Sequence, residues 1–212
     1  MLKITLSMVG FCVLGLGWVD IHRGFESDSA GQAPKGFTIC ETAGTGTPAT
    51  WKVASGGASS GKNFVSMESA NSGSTFNILL CDEAVPADAT LSVRLRAQSG
   101  TEDQGGGLCW RVQDEKNYYV ARWNPLEKNL RAYKVVDGKR SQAFGSVKPE
   151  TDATCWQVMK VRMEGSHAAI FFNGVEVMSF DDESIKAGGK VGCWTKSDAA
   201  TDFDDLEISA RN

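Results

Sequence analysis

Histidine is scarce in this 212-residue chain, which has only His22 and His167. A zinc centre built on imidazoles or a Ser-His-Asp triad needs histidine within the folded part, and only His167 lies well beyond the N-terminal stretch. There is no Gly-x-Ser-x-Gly elbow and no Cys-x-x-Cys spacing. Basic charge is in deficit: 22 Lys+Arg against 26 Asp+Glu gives 22 − 26 = −4, with no basic run. Nucleic acid is therefore excluded as a partner, because neutralising phosphates requires a positive stripe. Long apolar runs are missing too. The longest uncharged stretch, residues 4–19, has sixteen residues, short of the roughly 18 to 20 that span a bilayer. Beyond it no window keeps a 3.6-residue apolar period, so long helices are not expected.

A positive start at Met1-Leu-Lys3 followed by that apolar stretch reads as a signal peptide, with an uncleaved N-terminal anchor as the alternative. Small residues at Gly15-Leu-Gly17 and Gly31-Gln-Ala33 both offer cleavage spacing. Cys12 follows Phe11, which does not suit lipid attachment. Residues 27–35 are small and polar and read as a linker, giving a leader and linker over 1–35 and one domain over 36–212. The expected location is exported: periplasmic, cell-surface or secreted, with no membrane contact beyond the leader. Cys40, Cys81, Cys109, Cys155 and Cys193 then remain, an odd number that allows at most two disulfides. Cys109 and Cys193 each precede a Trp in a strand-like run and read as small buried apolar residues.

Period-two alternation recurs throughout the domain. In residues 91–98, Leu91, Val93, Leu95 and Ala97 face one way and Ser92, Arg94, Arg96 and Gln98 the other. Asn173-Gly174 and Asp137-Gly138 are type I′ turn pairs between strand-like runs. The 23 glycines, about 11% against a background of ~7%, supply further turns. About a dozen short strands imply an all-β sandwich of two antiparallel sheets, and the concave face of such a sandwich is where a ligand is expected.

The most polar-aromatic segments are Glu102-Asp-Gln-Gly-Gly-Gly-Leu-Cys-Trp-Arg111 and Asn117-Tyr-Tyr-Val-Ala-Arg-Trp-Asn-Pro-Leu-Glu127. Tyr118, Val120, Arg122 and Asn124 share one strand face, and Tyr119, Ala121 and Trp123 share the other. Rings that stack on sugars beside Arg, Asn and Glu that bond hydroxyls make a carbohydrate ligand the natural partner. The blander reading is a solvated sheet face with an Arg122–Glu127 ion pair. Trp194 and Lys196 share a second face. Carboxylates gather at Asp181, Asp182, Glu183, Asp198, Asp202, Asp204 and Asp205. Oxygen ligands on loops could hold a structural calcium ion, the one cofactor suggested; acidic turn chemistry also explains them. Two motifs nearly match known chemistry. Gly56-Gly-Ala-Ser-Ser-Gly-Lys62 has phosphate-loop spacing but continues into a strand, with Asn63 where Ser or Thr belongs. Asp202-Phe-Asp204-Asp-Leu-Glu207 approximates the Glu-x-Asp-x-x-Glu of retaining glycosidases, but puts its end carboxylates on opposite faces unless a bulge intervenes.

Asp103 to Arg111, Asn117 to Glu127, Tyr133-Lys-Val-Val-Asp-Gly-Lys-Arg140, Val191-Gly-Cys-Trp-Thr-Lys-Ser-Asp198 and Phe203-Asp-Asp-Leu206 together resemble the bacterial 3-keto-disaccharide hydrolase family. The resemblance implies a concanavalin A-like jelly roll, similar to family-sixteen glycoside hydrolases and laminin-G domains. By resemblance the motif positions fall on Asp103, Gln104, Arg111, Tyr119, Arg122, Asn124, Glu127, Trp194, Lys196 and Asp198. Cys109 and Cys193 stand where aliphatic residues are more usual. The expected chemistry is cleavage of 3-keto-glycosides, with Glu127 or Asp198 as base and Arg122 or Lys196 as electrophile. Asp103, Gln104, Arg111, Tyr119, Asn124 and Trp194 would bind substrate. A glycan-binding module without turnover is the alternative.

Overall fold

The computed structural model describes residues 18–44 and 46–211, and these form two antiparallel sheets packed face to face, a jelly-roll β-sandwich. In spatial order the first sheet runs β13 (Val175–Asp181), β12 (His167–Phe172), β11 (Gln157–Glu164), β6 (Ala89–Ser99), β15 (Ala200–Arg211), β4 (Asn63–Glu68) and β3 (Thr50–Ser55), with β1 (Trp18–Arg23) also against β15. The second runs β10 (Lys139–Val147), β9 (Asn129–Val136), β8 (Asn117–Asn124), β7 (Gly106–Asp114), β14 (Lys190–Lys196), β5 (Phe76–Cys81) and β2 (Phe37–Thr42). Among the described residues there is no helix long and apolar enough to cross a membrane.

The alternation read from β6 holds: Leu91, Val93, Leu95 and Ala97 are buried between the sheets. Trp110 stacks on Tyr119 there with ring centres 5.7 Å apart, and Trp51 and Trp123 meet Phe203 and Phe172 at 5.8 and 5.7 Å. Both hairpin turns carry positive φ at both central residues, 50° and 83° at Asn173-Gly174 and 50° and 74° at Asp137-Gly138, which fits type I′. Glycine is obligatory at 107, where an added Cβ would lie 1.8 Å from the Ala121 carbonyl oxygen. Its absence lets β7 approach β8 this closely.

Three expectations need correction. The domain begins by Trp18, not near Gly36: β1 pairs with β15 from Trp18↔Arg211 to Arg23↔Leu206, and Phe25 is buried in the core. Residues 27–35 are no free linker, since Gly31 donates to the Val53 carbonyl (2.8 Å) and Val53 donates back to that of Gln32 (2.8 Å). The rest of the leader, residues 1–17, lies outside the described residues. Second, of the at most two disulfides the count allowed, none forms among the described residues: the five cysteines there are all free thiols, and Cys109 and Cys193 are buried as read. Cys109 and Cys193 sit on neighbouring strands but on opposite faces, one outside the second sheet and one in the inter-sheet core, so the pleat keeps them from bridging. Third, the concave face is not open.

That third point follows from the curl of the second sheet. Arg140 on edge strand β10 lies over Tyr133 of β9 at 4.4 Å and over Phe76 of β5 at 5.1 Å. In a flat sheet β5 would stand roughly 24 Å from β10, five strand spacings away. Only strong coiling brings them together. The concave side is consequently filled by Phe76, Ile78, Leu80, Cys109, Val112, Tyr118, Val120, Tyr133, Val135 and Trp194, all buried, as a second hydrophobic core. Within it the Thr42 hydroxyl meets Tyr118 Oη at 2.8 Å, and Trp194 Nε1 donates to the same oxygen at 3.2 Å.

Candidate functional site: a charged network at one end of the curled sheet

Alternation on β8 sends Arg122 and Asn124 to the concave side, and the end of β14 brings Lys196 to the same level. The loop before β7 inserts Asp103 between them. Asp103 is 1% exposed and Arg122 2%. Asp103 accepts from Lys196 Nζ (3.0 Å), Asn124 Nδ2 (2.9 Å) and the Gln104 amide (3.1 Å), with Arg122 Nη1 at 3.5 Å. Arg122 Nη2 donates to Glu127 Oε2 at 2.9 Å, an oxygen that also accepts from Asn129 Nδ2 at 2.9 Å. Arg131 Nη1 stands 3.8 Å from it. The Glu127 backbone amide donates to Asn124 Oδ1 at 3.0 Å, which fixes the turn after β8.

The expected Arg122–Glu127 pair is therefore formed, but not on a solvated face: Arg122 is buried and Glu127, with a side chain 41% exposed, closes the network toward solvent. Burial pushes the Glu127 carboxyl up, but the Asn129 hydrogen bond and the Arg122 charge outweigh it, and it lies below the ordinary glutamate range.

Asp198 has a different task. It accepts from the Thr101 amide (2.7 Å) and hydroxyl (2.7 Å) and from the amides of Glu102 (3.0 Å) and Asp103 (2.9 Å). Burial opposes ionisation there too, but these donors win and hold the carboxyl far below its usual range. Asp198 thus clamps the loop that delivers Asp103.

Arg111 and Tyr119 do not join the network. A bulge at Arg111, with φ of 48°, re-aims its side chain to the carbonyls of Ile185 (3.0 Å) and Ala87 (3.1 Å). Tyr119 faces the inter-sheet core, donates to Asp182 Oδ1 at 2.5 Å and accepts from the Ile185 amide at 3.0 Å. Burial and the Asp182 bond push its phenol up to about 12. Trp194 belongs to the second core and is fully buried. Gln104 is half-buried beside Asp103. Sequence reasoning missed Asn129, Arg131 and Arg140. The first two become visible once β9 is paired to β8 through Asn124↔Asn129 and Arg122↔Arg131. Arg140 depends on the curl, which no local pattern announces.

The two near-miss motifs meet on the outer face of the first sheet. A bulge at Asp205, with φ of 47°, does intervene on β15 and puts Asp202, Asp204 and Glu207 opposite the outward Arg96, Arg94 and Ser92. Each carboxylate is already held: Asp202 by Arg96 (2.8 Å), Asp205 by Arg94 (3.1 Å) and His22 (3.1 Å), Glu207 by the Ser92 hydroxyl (3.0 Å). The amides of Ser59 and Ser60, in the glycine-rich loop with phosphate-loop spacing, donate to Asp204 Oδ2 at 2.9 and 3.1 Å. The loop's anion is thus a side chain of the protein itself. Among the described residues no three His, Cys, Asp or Glu side chains converge as a metal-holding group.

The fold is shared with several solved structures. The carbohydrate binding module CBM66 from Bacillus subtilis aligns at TM-score 0.66 and 20% identity, over 82% of this chain and 96% of that one. The cellulose induced protein Cip1 aligns at TM-score 0.65 and 15% identity, over 89% and 96%. The exoplasmic/lumenal domain of VIP36, solved with Ca2+ and Man3GlcNAc bound, aligns at TM-score 0.54 and 8% identity, over 80% and 87%. No curated protein matches the chain. A family model described as a 3-keto-alpha-glucoside-1,2-lyase-like domain matches residues 37–209, which takes in both sheets and the whole charged network. On that match the chain belongs to the 3-keto-alpha-glucoside-1,2-lyase-like domain family, a carbohydrate-related family.

Proposed function

We propose that this is an exported carbohydrate-active domain that cleaves 3-keto-glycosides at the end of the curled sheet, with Glu127 as base. One observation carries the reading: Glu127 joins an exposed carboxylate to a buried guanidinium, 2.9 Å from Arg122 Nη2. A ketone at C3 acidifies the hydrogen on C2. Glu127 would take that proton, and the electron pair would pass onto the C3 oxygen, where Arg122 or Lys196 stabilises the enolate. Its return forms the C1–C2 double bond as the C1–oxygen bond breaks, and water protonates the leaving oxygen. Addition of water across the new double bond completes a net hydrolysis. Asp103 and Asn124 position Arg122 and Lys196, and Asp198 holds the loop that carries Asp103.

The test is release of monosaccharide from 3-keto-disaccharides and from their unoxidised parents. Glu127→Gln is expected to lower turnover of the keto forms by roughly 10²- to 10⁴-fold. Near-wild-type turnover in that variant would remove Glu127 as base. The pH profile adds a sign. A carboxyl held below its ordinary value stays deprotonated at neutral pH, so the rate should be flat through neutral and mildly acidic pH and fall only below the ordinary glutamate range.

A second reading, saccharide recognition without turnover, is favoured by the same lowered carboxyl, because a weaker base abstracts a carbon-bound proton less readily. Saccharide binding without product would select it.

A further inference from the structure

The end of the curled sheet is not charge-balanced. Arg122, Arg131, Arg140 and Lys196 contribute four positive charges against three carboxylates, Asp103, Glu127 and Asp198, the last of which is turned to the backbone amides of 101–103. The other two are already shared: Lys196 and Arg122 hold Asp103, and Arg122, Arg131 and Asn129 hold Glu127. Two buried guanidinium nitrogens, Arg122 Nε and Arg140 Nη1, have no hydrogen-bond partner among the described residues. Arg122 is 2% exposed, so its unpaired nitrogen faces the interior of the network and not bulk solvent. A buried donor on a charged group left unpaired is expensive, and two like charges in a dry site add to the cost. Arg140 registers this, its proton held less firmly because of burial and then, against the attraction of Tyr133, the charge of Arg122.

We propose that this end of the sheet is a receptor for an oxyanion carried by the saccharide, a uronic acid carboxylate or a sulfate ester, bound by Arg122 and Arg140. The proposal rests on the saccharide reading above and narrows its substrate class to acidic sugars. Planar guanidinium forks match planar or tetrahedral oxyanions in pairs of parallel hydrogen bonds. Arg140 itself covers the faces of Tyr133 and Phe76, which hold its guanidinium at the edge of the second core.

Calorimetric titration with three disaccharides of one linkage, carrying a uronic acid, a sulfate ester or only neutral sugars, tests the proposal. A thermal melt with a few millimolar inorganic sulfate runs beside it, and both are repeated on Arg140→Gln. Arg140 is part-buried on edge strand β10, so this variant should fold, and the wild-type comparisons need no variant. The expected result is binding about tenfold or more tighter for one or both acidic disaccharides than for the neutral one, a preference lost in Arg140→Gln. Sulfate should raise the wild-type melting temperature more than that of the variant. Which acidic arm binds identifies the oxyanion. Equal affinity for acidic and neutral sugars, unchanged in the variant, overturns the oxyanion receptor and leaves the saccharide reading standing. A sulfate shift lost in the variant with no disaccharide bound keeps the receptor and removes the saccharide. No binding and no sulfate difference overturn both.

Discussion

Asp103 is the residue on which the charged network turns. It is buried, accepts from Lys196, Asn124 and its own loop, and lies 3.5 Å from Arg122. Replacing it by alanine leaves Lys196 without its counter-ion and Arg122 with Glu127 alone, and Asp103→Ala is expected to cost about 3 to 5 kcal/mol in a urea melt. A cost near zero would mean that the network reorganises around water. The sequence made part of this legible. Alternation along β8 separates Arg122 and Asn124 from Tyr119 and Trp123, and Glu127 follows within one turn. Arg111 was not legible, because alternation holds only while each residue keeps extended geometry, and its positive φ breaks the count by one.

At the scale of elements, the strand that local reading obscured is β1. Its residues end an apolar N-terminal stretch, and only pairing with β15 shows them to be part of the sandwich. A fragment starting at residue 36 loses β1 and the buried Phe25, and should unfold at lower denaturant than one starting at residue 18, by about 3 kcal/mol or more. For the same reason the signal-peptide reading expects a cut after Gly17 that leaves Trp18 first, which amino-terminal sequencing of the mature protein reads; a start beyond Ala33 would contradict it. The hairpins, in contrast, were legible from two residues each, since Asn-Gly and Asp-Gly adopt the φ > 0 pair that few other dipeptides tolerate. The curl of the second sheet was not, because it sums small twists over seven strands and no window of sequence contains it.

For the whole molecule, two hydrophobic cores share one sheet, so β5 is buried along its entire length and β8 nearly so. The acidic residues between 181 and 205 are spread around this body, and Asp182, Asp198, Asp202, Asp204 and Asp205 are each bonded to protein donors. Calcium that binds only the folded state would raise the melting temperature. With those carboxylates already engaged, the expected shift on adding calcium or a chelator is below about 1 °C; a rise of several degrees would place an ion among them.

The pairing of Trp18 with Arg211 brings the described chain back to within about one strand spacing of its start. The backbone is thus almost a closed ring. A linker of a few residues could join those ends at little entropic cost, and new termini opened in the Asn173-Gly174 turn would leave every strand neighbour in place. Such a circular permutant should keep the same two sheets, with β13 (Val175–Asp181) first in the chain and β12 (His167–Phe172) last.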